Sequence, residues 1–216
     1  MDNINLETVE SILVRNISRD LIMGIDDALK AGALRGFTQG SGMNLGHRSN
    51  AVGQMRHFHM NEAFHDALEA GSAEPTQIRG NRLVVGRSGL FMLGRFNSTN
   101  GVWNNGRRSR TRREMSLANR PIEQLVTQDL FESRQAITKG TVFFVAVFDR
   151  SVQESLSVPI SIDIAVPDHE MAGWLYRKSV KSFLELYEVP SEPQIDLVIP
   201  TLKISKEKTL NQRDAL

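Results

Sequence analysis

The sequence predicts an α+β domain in which N-terminal helices precede a mainly antiparallel sheet and a C-terminal helix. Apolar residues in the first third recur at spacings of three and four, as in amphipathic helices. Later segments such as TVFFVAVF and SVPISIDIAV are rich in β-branched and aromatic residues, which is typical of strands. A helical spacing returns after Pro167. We expect one domain over residues 1–204, with a helical part at 1–71, a sheet-containing part at 72–204 and a flexible tail at 205–216.

The helical part is predicted to contain two helices joined by an irregular connector. The first covers residues 5–31 and ends at Gly32, which stands where a C-terminal cap belongs. Because glycine is frequent in residues 35–50, we expect that connector to lack regular structure. The second helix covers residues 50–70.

The sheet-containing part begins with a predicted hairpin at residues 76–96, where Gly80-Asn81 and Ser88-Gly89 separate short apolar runs. A short helix follows at 120–133, with Asn119 as its cap. The two strong strands come next. A helix over 168–187 and a last strand, IDLVIPTLKI, complete the prediction.

Composition excludes several classes of protein. The chain has no cysteine, which rules out disulfides, cysteine-ligated zinc and cysteine nucleophiles. Its apolar runs are too short to span a bilayer. The first ten residues are acidic and polar, unlike a secretory leader, and we therefore expect a cytoplasmic protein without a membrane partner.

The net charge of +1 conceals a strongly basic middle block. Residues 1–34 hold three basic and six acidic side chains, residues 35–120 thirteen and five, and residues 121–216 ten and fourteen. All thirteen basic residues of the middle block are arginine, and no lysine occurs between Lys30 and Lys139. Arginine is preferred over lysine where a planar fork must hold phosphate or carboxylate at two points. The block therefore indicates an anionic partner.

The most concentrated part of this block is NGVWNNGRRSRTRREM, in which five arginines lie within seven residues. Glycine lets a backbone approach phosphate, asparagine can bind base edges, and tryptophan can stack on a base. We predict a nucleic-acid surface formed by this loop and the hairpin, and we favour DNA over RNA. Its residues are Arg79, Arg82, Arg87, Arg95, Trp103, Asn104, Asn105, Arg107, Arg108, Arg110, Arg112 and Arg113.

A second candidate site lies on the second predicted helix, in RHFHMNEAFHDALE. Glu62 and His65 are three residues apart and share a helix face, and His57 and His59 precede them. Such a group could serve as general acid and base, and it could bind a divalent metal, although the metal ligands are not identified. A solvated polar helix face explains the same residues.

Three functions remain open from the sequence. The first is a nucleic-acid-binding protein, extended in its sharper form to a restriction-like or host-defence nuclease that hydrolyses the bound strand. The second is a non-catalytic interaction protein whose basic middle block pairs with an acidic partner, including a second copy of the same chain. The third is an enzyme that holds a small phosphorylated or carboxylated substrate with arginines, although a single deep site needs only two or three of the thirteen arginines. The sequence does not decide whether the protein is an enzyme.

Overall fold

The computed structural model describes residues 8–99, 104–126, 136–149, 151 and 156–187. It shows N-terminal helices, a five-stranded mixed sheet and a C-terminal helix, which confirms the predicted α+β class. The α-helices are α1 Val9–Asn16, α2 Arg19–Ser41, α3 Leu45–Ala70, α4 Asn104–Arg107, α5 Arg110–Ser116, α6 Arg120–Val126 and α7 Val180–Leu184. The strands are β1 Gly86–Ser88, β2 Phe91–Thr99, β3 Gly140–Phe148, β4 Ser161–Pro167 and β5 Trp174–Ser179.

The strands follow one another in the sheet in the order of the chain. Strands β2 and β3 are parallel, and the three other neighbouring pairs are antiparallel, which confirms a mainly antiparallel sheet. A parallel pair requires a crossover connection. Helices α4, α5 and α6 belong to that crossover. The arginine-rich segment is therefore part of the connection from β2 to β3.

Helices occupy both faces of the sheet. The larger core lies between one face of the sheet and helices α1, α2, α3 and α7. A smaller core lies on the opposite face, where Phe96, Phe143 and Val145 of the strands pack against Met115 of α5. We call the side of the sheet that carries α4 and α5 the crossover face.

The first predicted helix is two helices in the structure. Ile17 is extended and ends α1, and the hydroxyl of Ser18 accepts a hydrogen bond from the amide of Leu21 to start α2. The apolar spacing runs through this break, which is why the spacing predicts one continuous helix. Both α1 and α2 face the larger core, with Leu13, Ile17 and Leu21 buried.

The predicted irregular connector at 35–50 is wrong, because helix α2 extends to Ser41 and α3 begins at Leu45. Glycines 32, 36 and 40 lie one turn apart on the side of α2 that faces α3. A Cβ added at Gly36 would lie 2.5 Å from the backbone N and Cα of Arg56. Glycine here permits two helices to approach closely, and it does not interrupt the helix.

The predicted helix over 168–187 is also corrected. The carboxylate of Asp168 accepts hydrogen bonds from the amides of Glu170, Ala172 and Gly173, and these bonds fold the chain into a tight turn. Strand β5 then pairs with β4, and only α7 is helical, followed by a single 3-10 turn.

The remaining local predictions have mixed outcomes. The hairpin turn at Ser88-Gly89 and the two strong strands, β3 and β4, are confirmed. Helix α6 covers the start of the predicted helix at 120–133. Asn119 is fully buried before it, where its amide group bonds the backbone of Thr141 and the carbonyl of Pro167. The predicted last strand and tail lie outside the described residues.

Candidate nucleic-acid interface

The short helices of the crossover place a group of arginines in solvent. Gly106 packs directly against the ring of Phe96, which brings α4 close to β2. Ser109 then caps α5 by accepting a hydrogen bond from the amide of Arg112. The side chains of Arg107, Arg108, Arg110 and Arg113 are exposed around this cap.

Arg87 of β1 extends the same face. It lies opposite Met92 in the β1–β2 pair, and cross-strand partners point to the same side of a sheet. Met92 packs against the smaller core on the crossover face, and Arg87 is exposed beside it. We call the exposed side chains of Arg87, Arg107, Arg108, Arg110 and Arg113 the arginine surface.

Internal ion pairing does not account for this surface. Among the described residues, Arg110 is its one member that pairs with a carboxylate, with its Nε 2.7 Å from Oε1 of Glu114. The segment from 104 to 116 contains five arginines and this one glutamate, so its formal charge is 5 − 1 = +4. Exposed charges of one sign create an attractive field for a polyanion.

Arg79 and Arg82 lie on the segment between α3 and β1, and both are exposed. Arg79 donates to the side-chain oxygen of Gln77 at 2.8 Å. The carbonyl of Arg82 accepts a hydrogen bond from the amide group of Asn61 at 3.4 Å, which fixes this segment against α3. The segment that carries these two arginines leads into the edge strand β1.

Arg95 has a different place from the rest of the predicted set, because its side chain is buried. Its guanidinium donates to Oδ1 of Asn61 at 2.7 and 3.0 Å, to the carbonyl of His57 at 2.7 Å and to Oδ1 of Asn97 at 3.2 Å. Burial, and secondarily the charge of Arg112, lowers the pKa of Arg95 to about 9. Arg95 therefore joins β2 to α3 and does not contribute a charge to the outer surface.

Arg112 occupies an intermediate position. Its guanidinium lies 4.8 Å from the centre of the Phe96 ring, and its Nη1 donates to the carbonyl of Gly106 at 3.4 Å. Burial lowers the pKa of Arg112 to about 10. The stacked guanidinium fixes the turn between α4 and α5, and the exposed arginines project from that turn.

Of the predicted catalytic residues, His59 and Glu62 are in contact, whereas His57 and His65 have other neighbours. His59 lies toward α2, with Nε2 2.7 Å from Gln39 Oε1 and Nδ1 3.1 Å from Glu62 Oε2. His57 lies on another side of α3, with Nε2 3.2 Å from Nδ2 of Asn61. His65 is 3.6 Å from its neighbour, Asp66. In the part of the chain that the structure describes, no group of three or more histidines and carboxylates is arranged to hold a metal ion.

His57 provides a pH-dependent element at this site. Burial is the main cause that lowers its pKa below 6.5, and the charges of Arg95 and Arg112 lower it further, while a hydrogen bond with the backbone of Asn81 opposes the shift. As the pH falls below 6.5, His57 of the unfolded chain takes up a proton. In the folded chain His57 takes up this proton only at a lower pH, because its pKa is lowered. The stabilisation that neutral His57 provides is complete above pH 6.5, and it is lost as the pH falls from 6.5 through the pKa of the folded state.

We therefore expect His57→Gln to flatten the dependence of Tm on pH below pH 6.5, because this group no longer titrates. Thermal denaturation followed by circular dichroism at half-unit pH steps measures the slope. A variant whose Tm falls with pH as steeply as that of the native protein would show that His57 does not cause the acid sensitivity.

Sequence reasoning missed Asn61 and Asn97, which hold Arg95 in place. Asn61 stands one helical turn after His57, but nothing in that spacing predicts a contact with a strand more than thirty residues away. Trp103 lies outside the described residues. Asn104 and Asn105 lie in α4, and their side chains are outside the described part of the structure.

Comparison with known proteins places this chain in no family: no family model, curated protein or solved structure matches it. No described helix is sufficiently long and apolar to cross a membrane. The arginine surface and its supporting contacts are therefore the basis for a functional assignment.

Proposed function

We propose that this protein binds nucleic acid through the arginine surface, with duplex DNA as the preferred polymer. One observation carries the proposal: five arginines are exposed on a single face of the sheet, and among the described residues only Arg110 has a carboxylate partner. A polymer with regularly spaced phosphates would supply the missing counter-charges along the whole surface.

The supporting contacts favour a preorganised surface. Gly106 is packed on Phe96, and Arg112 stacks on the same ring. The backbone that carries Arg107, Arg108 and Arg113 is thereby attached to the smaller core. A backbone segment attached to the core in this way loses less conformational entropy on binding than an unattached loop would lose. Arg79 and Arg82 extend the basic region past the edge of β2 and could contact a second stretch of backbone.

The proposal is limited to binding. Hydrolysis would require acid and base groups aimed at one reacting atom, whereas His57 and His59 lie on different sides of α3. An acidic protein partner, including a second copy of this chain, would use the same charges. The dependence of DNA binding on salt concentration distinguishes this alternative from the proposal.

The deciding experiment is a salt titration of binding to a fluorescently labelled DNA duplex, read by polarisation. Each phosphate that is neutralised contributes about −0.9 to the slope of log K against log salt concentration. We expect a slope of roughly −4 or steeper, corresponding to four or more phosphate contacts. Absence of binding at low salt to duplex DNA, and then to RNA, would refute the proposal, and a dimer in light scattering would favour self-association.

A further inference from the structure

A separate cleft lies on the side of the sheet opposite the arginine surface. It has a volume of about 840 Å³ and lies between the tip of the α2–α3 hairpin and the carboxyl ends of β2 and β3. Phe37 and Val52 line it from the helices, and Ser98, Thr99 and Phe148 line it from the strand ends. The volume is within the range of small-molecule sites.

The cleft lies at the carboxyl ends of β2 and β3, which are the parallel pair of the sheet. In sheets with parallel strands, ligands bind outside the carboxyl ends, where backbone amides and loop side chains face solvent. Ser98 and Thr99, at the end of β2, line this cleft, and the hydroxyl of Ser98 donates to the carbonyl of Thr99.

Arg56 of α3 is the principal charged group of the cleft. Its guanidinium carbon lies 4.5 Å from the centre of the Phe148 ring and 5.7 Å from that of Phe37. One terminal nitrogen, Nη2, donates to the carbonyl of Leu156. The guanidinium thus lies near two aromatic rings and donates to one backbone carbonyl.

No carboxylate of the described residues neutralises this arginine. The Nε of Arg56 is fully buried and makes no hydrogen bond, and the residue forms no ion pair with any described carboxylate. Burial also lowers the pKa of Arg56. A guanidinium that no described carboxylate neutralises attracts an anionic ligand to the cleft.

The other charged groups of the cleft are Arg48 and Asp149. Arg48 stands two helical turns before Arg56 on α3 and is exposed, so a second cation borders the same space. Oδ1 of Asp149 accepts hydrogen bonds from the amide and hydroxyl of Ser151 at 2.9 and 2.6 Å. The cleft thus combines two arginines, one carboxylate that is bonded to Ser151, polar residues at the end of β2 and apolar walls.

We propose that this cleft binds a small phosphate-bearing molecule the size of a mononucleotide, with the phosphate at Arg56 and Arg48. The Nη1 of Arg56 makes no hydrogen bond with the described residues and would donate to a phosphate oxygen, while Arg48 supplies a second positive charge. The apolar side chains of Phe37 and Val52 then contact the ring of the ligand, and polar groups at the end of β2 bind its polar edge. This proposal does not depend on the arginine surface, which lies on the other side of the sheet.

Isothermal titration calorimetry with the four ribonucleoside monophosphates tests the proposal, with the unphosphorylated nucleosides and inorganic phosphate as parallel probes. We expect at least one monophosphate to bind, and the matching nucleoside to bind at least tenfold more weakly. Arg56→Met, which removes the charge and keeps a flexible apolar chain, is expected to abolish binding. Arg48→Gln, at an exposed position where the fold is not at risk, is expected to weaken it severalfold.

Arg35→Gln is the matched control, because Arg35 is an exposed arginine of α2 that does not line this cleft. It should bind the monophosphate as the native protein does. The proposal is overturned if no monophosphate binds at millimolar concentration, if nucleosides bind equally well, or if Arg48→Gln and a folded Arg56→Met both bind normally. Normal monophosphate binding by a variant that lacks Arg107, Arg108 and Arg113 would separate this site from the arginine surface.

Discussion

Replacing Arg107, Arg108 and Arg113 together by glutamine is expected to weaken duplex DNA binding on the order of 100-fold. The estimate assigns about 1 kcal/mol to each exposed contact between arginine and phosphate. The slope of log K against log salt should also become shallower by about 0.9 for each phosphate that is no longer neutralised. Fluorescence polarisation across a salt series measures both quantities.

The stability of this variant should not change. The three side chains are exposed and make no ion pair with a described carboxylate, so glutamine removes charge without removing an internal ion pair. Circular dichroism should give the same Tm as the native protein. If Tm falls, the arginines contribute to folding, and weaker binding could no longer be assigned to phosphate contacts.

A charge-matched control is available on the opposite side of the protein. Arg19 and Arg35 on α2, with Lys181 on α7, are exposed, and these helices lie on the face of the sheet that holds the larger core. Their combined replacement by glutamine also removes three positive charges. This control should keep nearly native affinity. Equally weakened binding in the two variants would mean that net charge, and not the arginine surface, determines binding.

Gly36→Ala is expected to destabilise the fold by about 1–3 kcal/mol, although alanine is the better helix former. The added Cβ would lie 2.5 Å from the N and Cα of Arg56 and 2.7 Å from the carbonyl carbon of Met55. These are backbone atoms, so α2 and α3 must move apart along their interface. Each kcal/mol should lower Tm by roughly 2–4 °C in a chain of this size.

Gly24→Ala is the control for this prediction. Gly24 lies in the same helix, and a Cβ added there has nothing within 4 Å. We expect it to raise the free energy of unfolding by about 1 kcal/mol, because alanine loses less backbone entropy and has the higher helix propensity. The two glycine substitutions should thus change Tm in opposite directions. A stabilised Gly36→Ala would contradict the close approach of the two helices.

The accuracy of the sequence predictions differs between elements for physical reasons. Strands β3 and β4 could be predicted because their residues are buried on both sides and form continuous apolar runs. The region of β5 is predicted as helix because Leu175 and Phe183 fit a helical spacing. The turn that Asp168 holds with three amides, and the pairing with β4, decide otherwise.

The candidate site shows the same division. The clustering of arginines in sequence is local, so Arg107, Arg108, Arg110 and Arg113 could be identified as a basic surface. Burial of Arg95 depends on Asn61, thirty-four residues earlier in the chain. The Arg56 cleft combines three segments that are far apart in sequence, near residues 37–56, 97–99 and 148–156.

By itself, the sequence determined the α+β class, the main strands and the position of the basic block, because these depend on the periodicity and composition of neighbouring residues. Tertiary structure alone decided that glycines 36 and 40 lie within helices, that Arg95 is internal and that Arg56 faces a cleft. Each of these outcomes depends on a partner more than ten residues away. The periodicity and composition of neighbouring residues do not identify such partners, because these contacts form only when the helices pack on the sheet.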